Sequence, residues 1–246
     1  MIAAVRAPAP PLVAAAATPR LRARLAGPAR EGGVVHRGRH AVYVEVDGWC
    51  VGVLADPAVA VPCGLRTTLP ELGRLATAER ARVERGSLWL DDTEVRVGRL
   101  VPGAVPRLGA VEPDLVALVL EAGRPAAEEL RDLLDRPLPS LLGRGSGLTP
   151  LADDLLCGWL AVGFALGRPP ADLPDPRRRT TLLSATLVDC ARHGEVVPAF
   201  RALVGALGSG DRDAVAAGTR VVASLGHTSG PGLLLGAGLR LREEAP

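Results

Sequence analysis

Period-two segments of this chain are confined to its first half, and that limits the folds open to it. Val34 to His36, Ala41 to Val46 and Trp49 to Leu54, rich in Val and aromatics, read as strands. Tyr43-Val44-Glu45-Val46 and Trp49 to Val53 flank Asp47-Gly48, a type I′ hairpin signal. Ser87 to Leu90 and Thr93 to Val97 form a second hairpin around Asp91-Asp92. Val59 to Pro62 reads as a further strand. Leu12 to Ala26, with a break at Pro19, and Leu69 to Arg85 read as flanking helices. Beyond a Pro- and Gly-rich connector, Val101 to Gly109, the spacing becomes helical. Helices are expected over Pro113–Glu121, Ala126–Leu134, Leu151–Leu166, Arg178–His193, Val196–Leu207, Asp211–Leu225 and Pro231–Arg242. Strands come first and helices second, without alternation. That order predicts an α+β fold, a β-rich N-terminal half (1–109) packed with a mostly helical C-terminal half (110–246).

Composition narrows the chemistry. Of 246 residues, 48% are hydrophobic and 23% charged, a globular balance. All 29 basic residues are Arg, and there is no Lys, Asn or Gln. A Schiff-base lysine, a phosphate-loop lysine and an amide reading adenine are therefore excluded. Ligand donors must be Arg, Ser, Thr, His, Tyr, Trp or backbone N–H. Net charge is +2, scattered except for Arg177-Arg178-Arg179, and aromatics are 2%. Neither favours nucleic acid. Cys50, Cys63, Cys157 and Cys190 lack metal-site spacing and suit buried thiols in a reducing cytoplasm. The longest apolar run, Leu155 to Gly167, falls short of the about 20 residues a membrane span needs. The N-terminus has the charge (Arg6) and short apolar run of a signal peptide, but prolines interrupt it. The expected location is cytoplasmic.

Gly143-Arg144-Gly145-Ser146-Gly147-Leu148-Thr149-Pro150 leads into Leu151-Ala152-Asp153-Asp154. Alternate glycines let backbone N–H groups approach a ligand, and Arg144 and Ser146 add donors. Thr149 suits an N-cap and Pro150 the first helical position, so the same stretch also reads as an ordinary helix start. Asp153 and Asp154 would repel a bare anion. They would suit one accompanied by Mg²⁺ or bearing an amide whose hydrogens need acceptors. A second loop, Gly226-His227-Thr228-Ser229-Gly230-Pro231-Gly232, offers hydroxyls and a candidate general base in His227. A third, Thr180-Thr181-Leu182-Leu183-Ser184, opens another helix. The serine-hydrolase elbow and the dinucleotide fingerprint are both absent.

Together the three loops resemble the signatures of the AllH-like family. GRGSGLTPLADDLLCGWLAV is similar to its G-x-G-x-GLTP-x-x-DD-x-x-x-G signature; TTLLSATLVDCARHGE and GHTSGPGLLLGAGL resemble the second and third, in the family's order. The resemblance runs from about Ser140 to Leu241 and is weaker before it, where VPCGLR looks familiar. Two departures stand out: Leu151-Ala152 where the family has Ser-Gly, and Ser146 where it often has Pro.

The family is named for the third subunit of oxamate carbamoyltransferase in anaerobic allantoin degradation, a branch of purine catabolism. The resemblance implies carbamoyl transfer between carbamoyl phosphate and oxamate, within a complex of different subunits. Gly145, Ser146, Gly147 and Thr149 would then hold phosphate, and Asp153 or Asp154 the amide hydrogens. Arg144 would stabilise an oxyanion, with Thr180, Thr181, Ser184, Thr228 and Ser229 around the substrate and Mg²⁺ as a possible cofactor on the two acids. Replacing either acid by Ala is expected to abolish activity with the fold intact. The alternatives are a scaffolding or ligand-sensing subunit, or a stand-alone small-anion binder.

Overall fold

The computed structural model describes residues 11–168 and 173–244. The architecture is α+β, with strands in the N-terminal half and helices in the C-terminal half. The chain divides into two compact units. One is Met1–Asp47 with Val51–Ala58 and Gly64–Val101; the other is Gly48–Cys50 with Val59–Cys63 and Pro102–Pro246.

The first unit is built on a sheet of eight strands. They are β1 (Leu12–Ala17), β2 (Arg30–Arg37), β3 (Ala41–Val46), β4 (Trp49–Leu54), β5 (Gly64–Arg66), β6 (Ala81–Glu84), β7 (Ser87–Leu90) and β8 (Thr93–Leu100). In the order β1-β5-β4-β3-β2-β6-β7-β8 they close into a barrel, shut by β1 lying parallel to β8. Closure leaves no open sheet edge. On β3 alternation works as the sequence implies, with Val42, Val44 and Val46 buried and their neighbours half-exposed; β6, which falls in a stretch expected to be helical, alternates in the same way with Ala81 and Val83 buried. Asp47-Gly48 and Arg85-Gly86 both have positive φ at the two turn positions (52° and 72°, 53° and 77°), as type I′ turns require.

Three expectations in this half are corrected. Leu12–Ala17 is a strand, and the helix α1 (Pro19–Leu25) starts only after it. Its alanines have helical propensity, but a ladder along β8 satisfies their backbone and buries Ala15, Ala16 and Ala17. Pro19 is the first helical residue rather than a break, and the Thr18 hydroxyl caps Leu21 N–H at 3.2 Å. Leu69 to Arg85 is not one helix. A short 3₁₀ turn (Gly73–Thr77) gives way to β6, whose pairing with β2 and β7 outweighs local propensity. Val59 to Pro62 is not a strand; β5 begins at Gly64. The first ten residues of the signal-like N-terminus lie outside the described residues.

The helical unit contains α2 (Pro113–Ala122), α3 (Arg124–Glu129), α4 (Leu151–Ala165), α5 (Leu182–Arg192), α6 (Pro198–Ser209), α7 (Arg212–Ala223) and α8 (Ser229–Glu243). Of the 15 residues of α4, 14 are buried, so it is the central element of this core. None of the described helices is long and apolar enough to cross a membrane. The α4–α8 contact is made backbone to backbone. A Cβ at Gly158 would stand 2.0 Å from the Leu233 carbonyl oxygen, and one at Gly236 would stand 1.9 Å from that of Leu155. A methyl group has no room at either point, and the obstacle is main chain that cannot rotate away.

Gly236→Ala is therefore expected to destabilise the chain by about 3 kcal/mol or more, the upper end of overpacking costs. Gly33→Ala, on β2 where a Cβ meets nothing within 4 Å, serves as the control and stays within about 0.5 kcal/mol. Urea unfolding of both variants checks the contrast.

Candidate functional site

The three loops singled out by sequence meet around the first turn of α4. Gly143 has φ 81°, and a Cβ there would lie 2.0 Å from the Arg179 carbonyl oxygen. Only glycine lets the loop before α4 pass so close to the chain entering α5. The loop is anchored by buried Leu141 and Leu142, while Arg144, Gly145, Ser146, Gly147 and Leu148 are exposed. Thr181 caps α5 by accepting Ser184 N–H at 3.2 Å, and its hydroxyl donates to the Leu148 carbonyl at 2.5 Å. Thr149 and Ser229 share a hydroxyl–hydroxyl bond of 3.1 Å, which ties the loop to the start of α8.

Asp153 is the hub of this arrangement. It is fully buried. Its Oδ1 accepts Gly143 N–H at 2.6 Å; its Oδ2 accepts the Ser184 hydroxyl at 2.6 Å and the Thr180 hydroxyl. Both oxygens are thus occupied by protein donors, and each donor belongs to one of the recognised loops.

Asp154, one residue on, is the opposite case. It is 5% exposed, yet its Oδ2 is buried with no hydrogen-bond partner among the described residues. Burial raises its carboxyl from the ordinary 3.8 to about 7; the Ser229 and Thr149 hydroxyls pull it down and the Asp153 charge pushes it up. A Cβ at Gly232 would lie 2.9 Å from Asp154 Cβ, so the missing side chain lets α8 press onto the acid. The sequence did not single out Gly232 for this role, although its place in Gly230-Pro231-Gly232 was the signal.

The helix start differs from expectation. Pro150 sits at the cap position, Leu151 is the first helical residue, and Thr149 makes no cap bond. The Thr149 hydroxyl is committed to Ser229, and main chain does the capping instead. Arg144 O accepts Ala152 N–H at 3.2 Å, and Pro150 O accepts Asp153 N–H and Asp154 N–H at 2.9 and 3.2 Å. The N–H groups of Gly145, Ser146 and Gly147 have no partner among the described residues, and neither have those of Leu148, Thr149 and Leu151. The side chains of Arg144, Ser146 and His227 are exposed and make no hydrogen bond or ion pair among the described residues. Thr228 precedes α8 with no side-chain cap bond. Pro231 is the third residue of α8, not the first.

Exposed N–H groups, a hydroxyl and a guanidinium offer donors to an anion, and Asp154 offers one unengaged carboxyl oxygen. A Mg²⁺ shared by both acids does not fit, because Asp153 already accepts three donors; Asp154 with substrate oxygens is the combination left. Among the described residues no group of three or more His, Cys, Asp or Glu could hold a metal. Cys157, a turn further along α4, is no nucleophile: burial raises its thiol well above the usual range and the two Asp charges add to that.

Residues 141–241 match the family model described as oxamate carbamoyltransferase subunit AllH, and this stretch of the chain is AllH-like. The matched span holds all three loops and both acids. No curated protein and no solved structure matches the chain.

Two outcomes follow from the contrast between the acids. Asp153→Ala strands Gly143 N–H and two hydroxyls, so it is expected to cost about 2–4 kcal/mol and loosen the Gly143–Thr149 loop. Urea unfolding and protease cleavage at that loop read both effects. The fold-intact expectation therefore does not extend to Asp153. Asp154 binds its proton more tightly in the folded chain than in the unfolded one. Its contribution to stability thus falls as pH rises from 3.8 to about 7 and is level above. The fall is worth up to about 4 kcal/mol. Unfolding free energies across that window should lose this slope in Asp154→Asn; an unchanged slope would contradict the assignment.

Proposed function

We propose that this chain, AllH-like over residues 141–241, is a subunit of an oxamate carbamoyltransferase-like complex and holds a small anionic, amide-bearing substrate at the start of α4. The observation that carries this is the unpartnered, buried Oδ2 of Asp154 beside a loop of exposed donors. A buried carboxyl oxygen without a partner costs stability unless something completes it. An amide or carbamoyl NH₂ supplies the missing donor.

In this reading the phosphate of carbamoyl phosphate lies against the N–H groups of Gly145, Ser146 and Gly147, with Arg144 and the hydroxyl of Ser146 adding donors and Thr149 holding the loop through Ser229. Asp154 receives the amide hydrogens. The amide nitrogen of oxamate attacks the carbamoyl carbon, a C–N bond forms, the C–O bond to phosphate breaks, and phosphate leaves. The products are oxalurate and phosphate, and the reverse reaction uses the same contacts. Direct attack needs no protein nucleophile. The exposed imidazole of His227 is free to take the proton lost by the amide nitrogen. Arg144 and the loop N–H groups would meet the negative charge on the tetrahedral carbon's oxygen. Thr180, Thr181, Ser184 and Ser229 act through the acids and the loop rather than on the substrate, and the hydroxyl of Thr228 is open to it. The other subunits complete the complex.

A second reading has a specific observation behind it. The saturated oxygens of Asp153 and the glycine crossing of α4 and α8 account structurally for much of the signature. They suit a subunit that scaffolds or senses ligand without catalysing. Kinetics of the reconstituted complex separate the two. Under the catalytic reading, Asp154→Ala lowers kcat by about 100-fold or more, and Arg144→Ala raises KM for carbamoyl phosphate by about tenfold. Full activity with Asp154→Ala in the assembled complex would leave the scaffold reading standing.

A further inference from the structure

We propose that the barrel unit carries an anion site of its own, formed by Arg22, Arg85 and Arg96 and suited to a compact, non-aromatic polyanion. The three arginines line one cavity of about 440 Å³ together with Ser87 and the Ala26-Gly27 turn; among the described residues no acidic and no aromatic side chain lines it. They come from separate elements: the helix α1, the β6–β7 turn and the strand β8. Cavities of roughly 300–1,000 Å³ take small metabolites. Without an aromatic wall there is no platform for a nucleobase, and with three guanidiniums the complementary ligand carries at least two carboxylate or phosphate groups.

The charges around the cavity are only partly matched. Arg96 is held flat by Glu94, with Nε donating to Oε1 at 2.8 Å and Nη2 to Oε2 at 2.7 Å. Glu94 is buried and also accepts the Ser87 hydroxyl at 2.7 Å, so this guanidinium is fixed in place while its remaining N–H groups stay open. Arg85 is 89% exposed and lies 3.6 Å from Glu84, a loose contact. The Arg22 side chain is exposed and has no hydrogen bond or ion pair among the described residues. The carbonyl end of α1 would repel an anion, but Arg24 O and Ala26 O are occupied, accepting from Arg30 at 2.6 and 3.2 Å, a guanidinium that also pairs with Asp47 at 3.1 Å.

The backbone at Arg85 points the same way. Among the described residues three that are not glycine have positive φ, each at a hairpin turn: Asp47, Arg85 and Asp91. Asp is among the residues that adopt this conformation readily, whereas Arg gains nothing there. A long cation placed where a short acid is conformationally better, at the rim of a cavity with two other arginines, indicates a ligand that uses it.

The test is isothermal titration calorimetry of the full chain with pyrophosphate and, separately, citrate. It is run in a background of Arg144→Ala and Ser146→Ala, which removes the exposed side-chain donors of the loop before α4. Both probes should still bind in that background, more weakly as salt rises. Adding Arg22→Ser or Arg85→Asn should then weaken pyrophosphate by about tenfold or more each. Both residues are on the surface, and Asn suits the positive φ at the turn, so neither change threatens the fold. No heat from either probe, loss of binding in the background alone, or unchanged affinity in both arginine variants would each overturn the proposal.

Discussion

The backbone contact between α4 and α8 is the constraint on which the helical unit rests. Gly158 and Gly236 bring the two main chains closer than any side chain would permit. That closeness sets the rest of the site. It carries the start of α8 to the loop before α4, so that Ser229 meets Thr149. It also lets Gly232 sit against Asp154 and shut that carboxyl away from water. A looser crossing would leave Asp154 solvated and ordinary. The packing glycines and the unusual acid are thus one feature seen at two points along α8.

Adjacent residues on one helical turn end up in opposite states because of direction. Successive side chains on a helix point about 100° apart. One step carries Asp153 toward α5 and the Gly143 loop, where three donors await it, and Asp154 toward α8, whose nearest wall is glycine. Asp153 spends its acceptor capacity on joining loops, a positioning role. Asp154 keeps an unmet oxygen, and a group unmet by its own chain is the one with capacity for a ligand. Sequence placed both in one class, since paired acids in a first turn read alike.

Much of the helical half was legible because its punctuation is local. Asp211 caps α7, Thr181 caps α5, and Pro113 and Pro198 open their helices. The barrel was less legible because its strands depend on distant partners. Leu12–Ala17 has no strand signal of its own and becomes one only beside β8, some eighty positions later. Ala81-Arg82-Val83-Glu84 does alternate, but Leu69 to Arg85 as a whole also carries charges on one side of a helix, and only Pro70 and Gly73 speak against one. In the loop cluster, residue types were readable and bonding was not. Nothing in Thr149-Pro150 says that the hydroxyl will leave its own helix for Ser229. Nor does sequence indicate that the Arg144 carbonyl will cap Ala152.

A chain without Lys, Asn or Gln has lost its most adaptable donors. What replaces them differs between the two units, and the difference follows from burial. Around Asp153 the donors are hydroxyls and a backbone N–H, which need little desolvation and can be fully enclosed. Around the barrel cavity they are guanidiniums, which cannot be enclosed without a counter-charge. Glu94 shows the limit: it is buried, but the arginine bound to it keeps a side chain 57% exposed. At these two places arginine stays at the rim and the turn, while serine and threonine take the interior. Where the chain offers donors to a ligand is set as much by that division as by any motif.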